Sequence, residues 1–100
     1  MATSKNKWIT PETQSLFDTM ATLKGSAEIR NFCRDLMTET EIIEFGNRWK
    51  AARMLTQKLP YVSIVQETGM SSTTVARVKK WLTQGMGGYR LALKRLEEKT

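Results

Sequence analysis

Ser72, Thr73 and Ala76 are spaced to share one face of a short helix, and Lys79 and Lys80 extend that face with two ammonium groups. On a helix that enters a DNA major groove, such a face offers hydroxyls and a methyl group to base edges and ammonium groups to phosphates. None of the first three is an Arg, Gln or Asn, the side chains whose bidentate contacts discriminate by about 1–3 kcal/mol each. Selectivity at such a face leans on thymine methyl contacts, water and DNA shape. Lys58, in the loop before this region, is a further candidate for the phosphate backbone, and for all three lysines the alternative reading is a solvated face.

The residues that must position this face run from Tyr61 to Lys80 and read as a helix-turn-helix. Ile64 and Val65 put apolar groups on the inner side of a short first helix. Gly69 falls where the chain must turn sharply, a place that favours a residue tolerant of positive φ. Ser71 is placed to cap the second helix, and Val75 and Val78, three apart, pack back on Ile64 and Val65. A helix, a glycine turn and a helix also occur in bundles that touch no nucleic acid, and charge favours the DNA reading. Residues 1–46 carry five Lys or Arg against seven carboxylates, a net of −2, whereas residues 47–100 carry eleven against three, a net of +8. The whole excess of +6 therefore lies in the half that holds the motif.

Other chemistries are poorly served. There is no histidine and Cys33 is the only cysteine, which removes an intrachain disulfide framework, the usual zinc clusters and imidazole catalysis. We expect no catalytic residues, no metal and no cofactor. Cys33 shares a stripe with Ile29, Phe32 and Leu36 and reads as a small core residue. Trp49 and Trp81 fall at apolar helical positions and read as core packing rather than a stacking platform for single strands, while Trp8 is unassigned. No stretch approaches the roughly 20 apolar residues of a membrane span, and the polar first residues lack a signal-peptide core, so the cytoplasm is the expected location.

The chain reads as all-α, with about six helices. Residues 1–8 form a flexible arm, and residues 9–100 form one domain: dimerisation helices over 9–57, the helix-turn-helix over 61–82 and a last helix over 88–99. Thr10 caps the first helix with Pro11 in its first turn, and Lys24-Gly25 ends it. A second helix starts at Ser26, and Thr38 to Glu41 is a capping box for a long third helix that is apolar on more than one side. The first two helices carry apolar stripes, yet the motif offers few residues to cover them, so a partner subunit is the economical answer. Two reading heads about 34 Å apart would also suit half-sites one turn apart.

Several separated stretches resemble the Trp repressor superfamily: Leu36-Met37-Thr38, Phe45-Gly46-Asn47-Arg48, Ala52-Arg53-Met54-Leu55, Glu67-Thr68-Gly69 and Thr74-Val75-Ala76-Arg77-Val78-Lys79. With Gly87-Gly88-Tyr89, they look most like its YerC/YecD group, over roughly residues 14 to 90. The resemblance implies an intertwined, all-helical homodimer that represses transcription by binding double-stranded operator DNA. Water-mediated readout is itself a Trp repressor property, so that part comes with the resemblance.

In that family L-tryptophan lies between two arginines, and Arg48 and Arg77 match them. The residue after the second arginine is a glycine there, and a serine three further on helps hold the ligand's amino group. Here those positions are Val78 and Trp81, which we expect to occlude the corepressor site, leaving the protein outside tryptophan control. Another small-molecule effector stays open. The competing reading is a helical protein-interaction module of the transcription machinery with only non-specific DNA affinity.

Overall fold

The computed structural model describes residues 6–99, which form six helices and no strand. They are α1 (Pro11–Met20), α2 (Gly25–Leu36), α3 (Glu39–Thr56), α4 (Tyr61–Thr68), α5 (Ser72–Gln84) and α6 (Gly88–Lys99). Within one chain the described residues pack as two compact units, one ending at Glu39 and one starting at Thr40.

The first unit explains the split. Its helices contain no buried residue: Ile29 and Leu36 are exposed and Cys33 is only half-buried within one chain. Two short helices have too little apolar surface to enclose one another. The start of α1 is as expected. The Thr10 hydroxyl accepts from the Thr13 N–H at 3.1 Å, the Thr13 hydroxyl accepts from the Thr10 N–H at 2.7 Å, and Pro11 opens the helix.

The Thr13 hydroxyl also donates to the Trp8 carbonyl at 2.8 Å, and the Trp8 ring meets Phe17 edge-on at 6.2 Å. Asn6 to Trp8 are thus a turn tied to α1 rather than a free arm; residues 1–5 of the expected arm lie outside the described residues. Helix α1 stops before Lys24-Gly25, because the Thr22 hydroxyl donates to the Thr19 carbonyl at 2.7 Å and the last turn tightens to i→i+3 bonds.

The second unit holds the core. Ala51 and Ala52 of α3, Ile64 of α4 and Val75 and Val78 of α5 are buried together. The methyl side chains of the alanine pair let backbones close in, while Ile64 and Val75, each fully enclosed, contribute about 1.5–3 kcal/mol apiece. Only the second half of α3 takes part, since Ile43 and Phe45 are exposed.

Helix α3 ends in a Schellman arrangement: the Lys58 N–H donates to Leu55 O at 2.9 Å and the Leu59 N–H to Met54 O at 3.2 Å. That geometry holds Lys58 at φ 61°, a left-handed conformation seldom taken by a lysine. No helix among the described residues is long and apolar enough to cross a membrane.

Candidate nucleic-acid interface

The turn between α4 and α5 is built as the spacing predicts. Gly69 takes φ 72° and donates its N–H to Val65 O at 2.9 Å. Ser71 Oγ accepts from the Thr74 N–H at 3.1 Å, capping α5. Sequence reasoning missed Thr68, the buried polar residue that locks this turn. Its hydroxyl donates to Ile64 O at 2.7 Å and accepts from the Met70 N–H at 3.2 Å, so it bridges the end of α4 and the residue after the glycine.

Burial of Val75 and Val78 fixes the rotation of α5, because residues at those positions cannot face inward without turning 72, 73 and 76 outward. Ser72, Thr73, Ala76, Lys79 and Lys80 are all exposed on this one helix. The Ser71 and Thr74 hydroxyls bond one another at 3.0 Å, which leaves Ser72 and Thr73 as the outward hydroxyls. Each lysine rests on an aromatic ring: Lys79 Nζ lies 5.8 Å from the Tyr61 centroid and Lys80 Nζ 5.2 Å from that of Trp81. Lys58 is exposed as well, but stands apart on the turn that enters α4.

Arg48, Arg77, Val78 and Trp81 converge on one open hollow of about 450 Å³, completed by Glu44, Thr74 and Tyr89. Val78 lines the hollow from the core, where it is 3% exposed, and Trp81 lines it beside Tyr89. Trp81 is also 55% exposed, so it is no core residue; it lies a helical turn beyond Val78, past the part of α5 that packs in the core. Trp49 does pack on the core and stacks on Tyr89 at 6.2 Å and 20°. Arg48 is paired with Glu44 at 3.1 Å and lies 5.6 Å over the Phe45 ring.

The sequence model of the Trp repressor protein matches residues 11–97. The chain belongs to the Trp repressor family. It is 39% identical over 87 residues to YerC of Bacillus subtilis, itself uncharacterised, covering 87% of this chain and 84% of that protein. A TrpR-like protein from Eubacterium eligens superposes with a TM-score of 0.86 at 34% identity, covering 92% of this chain and 95% of the other. A candidate Trp repressor from Staphylococcus aureus gives 0.85 at 33% identity, covering 96% of each chain.

These likenesses support the YerC branch of the Trp repressor family and its all-helical, non-enzymatic regulator fold, and they suggest a DNA-binding regulator. In this family member Lys58, Ser72, Thr73, Ala76, Lys79, Lys80 and the hollow all lie in the second unit. Of the residues that sequence reasoning passed over, Glu44 had a readable signal, its i,i+4 spacing to Arg48. Tyr61 and Tyr89 had none, since each meets a partner far away in sequence.

Proposed function

We propose that the chain is a sequence-specific, double-stranded DNA-binding transcriptional repressor, working as an intertwined homodimer and outside the control of L-tryptophan. The observation that carries the reading is the outward face of α5: Ser72, Thr73 and Ala76 exposed above two buried valines, with Lys79 and Lys80 beyond them in the strongly basic half. The first three meet base edges, and Lys58, Lys79 and Lys80 meet phosphates.

Dimerisation is supported by the apolar surface that one chain leaves in water. Phe17, Ile29, Leu36, Ile43, Phe45, Leu91 and Leu96 are all exposed, on four of the six helices. That distribution suits a partner that wraps the chain better than one that docks on a single patch.

Independence from tryptophan is supported by changed partners and by added bulk at the hollow. Trp81 stands where the family places a serine for the ligand's amino group, Val78 replaces the glycine that leaves room for the ring, and Arg48 is engaged by Glu44. Selection of genomic fragments by the purified protein, followed by gel shifts against random duplex, tests the function. Specific binding in the nanomolar range supports it, whereas weak, salt-sensitive binding to every duplex overturns it in favour of an interaction module.

A further inference from the structure

We infer that Arg90 is a positioning residue for the reading helix, holding the far end of α5 at the angle that DNA contact needs. The inference rests on the proposed DNA-binding role of α5. The last carbonyls of any helix lack donors from the helix itself. At the end of α5, Trp81 O is taken by the Gly85 N–H at 2.9 Å. The next two are taken by one side chain from α6: Arg90 Nε donates to Leu82 O at 3.0 Å and Arg90 Nη2 to Thr83 O at 2.9 Å.

A planar guanidinium held by two bonds fixes orientation as well as distance, and its charge lies at the negative end of the α5 dipole. The connection leaves little slack. A Cβ on Gly85 would collide with the Trp81 carbonyl oxygen, and Gly87 takes φ 85° just before α6 begins. Tyr89, beside Arg90, stacks on Trp49 of α3. The first turn of α6 is therefore joined on one side to α3 and on the other to the end of α5.

Two fixed points define the axis of α5. One is the core contact of Val75 and Val78, and the other is the Arg90 clasp. Thr73 lies about 5 Å along the axis from the midpoint of Val75 and Val78, so a tilt of roughly 10° about that contact moves it by roughly 1 Å. That exceeds what a hydrogen bond to a base edge tolerates, while a phosphate attraction survives it.

The test compares Arg90→Met and Arg90→Lys with the wild-type chain on a selected duplex and on a random one. Arg90→Met is expected to lower the preference for the selected duplex by about tenfold or more, with the salt dependence of random binding unchanged. Arg90→Lys, which keeps the charge but not the fork, is expected to fall between. Hydrogen exchange without DNA supplies an independent reading: the Gly85 amide and the last turn of α5 should exchange faster in both variants, and unchanged exchange overturns the inference.

A preference held within about twofold in Arg90→Met overturns it too, as does an equal loss on both duplexes with a flatter salt slope, the mark of a phosphate contact. If Arg90→Met fails to fold, an unchanged preference in Arg90→Lys is the overturning result. A wild-type chain that prefers no duplex refutes the DNA reading itself, and the exchange comparison then still decides whether Arg90 fixes the end of α5.

Discussion

Tyr61 and Lys79 are joined across the helix-turn-helix: the Lys79 ammonium lies 5.8 Å from the centroid of the Tyr61 ring. Tyr61 opens α4 and packs against the core, so it holds a flexible lysine near a fixed place on the surface of α5. A cation already placed loses less freedom when a phosphate meets it. Tyr61→Leu keeps the packing and removes the ring. Binding to every duplex should weaken by about two- to fivefold, the worth of an exposed cation–π contact, and fluorescence anisotropy would show it. Unaltered affinity would separate Tyr61 from the contact.

Lys80 and Thr73 should fail differently. Replacing Lys80 by Ala is expected to weaken binding about equally for all sequences and to lower the slope of log affinity against log salt by about 1. Thr73→Ala should instead change preference at one base pair, with a discrimination of about 1–3 kcal/mol at stake. Repeating the selection with each variant separates the two, and a sequence-selective loss from Lys80→Ala would contradict its assignment.

Lys58 sets stability against function. Glycine is the residue that a Schellman position prefers, and Lys58 occupies it at φ 61°. Lys58→Gly should therefore stabilise the fold by about 1 kcal/mol, raising the melting temperature by several degrees. The same change removes a proposed phosphate contact and should weaken DNA binding. Thermal melts and anisotropy on one preparation check both signs.

Thr68→Val tests the lock at the turn. The valine has the same shape but cannot accept from the Met70 N–H, a bond of 3.2 Å in the wild type. A loss of about 1–2 kcal/mol in urea unfolding is expected. A neutral result would mean that Gly69 and Ser71 suffice to form the turn.

Titration with L-tryptophan by calorimetry should give no micromolar binding and no tightening on the selected duplex. The hollow has room, at about 450 Å³, so size alone does not exclude a ligand. The expected failure lies in recognition, because Trp81 supplies no acceptor for an ammonium group near its ring edge. Restoring the polar group with Trp81→Ser is the complementary measurement.

The linear order of residues determined the helices and the motif. Thr10 with Pro11, Gly69 with Ser71, and the valines at 75 and 78 act through local geometry, and the structure places each where the spacing predicts. The outward face of α5 was legible for the same reason, since burying two valines leaves 72, 73 and 76 one direction to point. Tertiary packing decided the rest. The division into two units, the half-buried state of Cys33 and the exposure of Trp81 depend on how much apolar surface is available to cover each stripe, which no periodicity states. Whether Val78 and Trp81 fill or border the hollow, and that Arg90 closes the end of α5, depend on side chains from separate helices meeting in space. A helix pattern fixes the direction of a side chain, whereas only the assembled fold fixes what it meets.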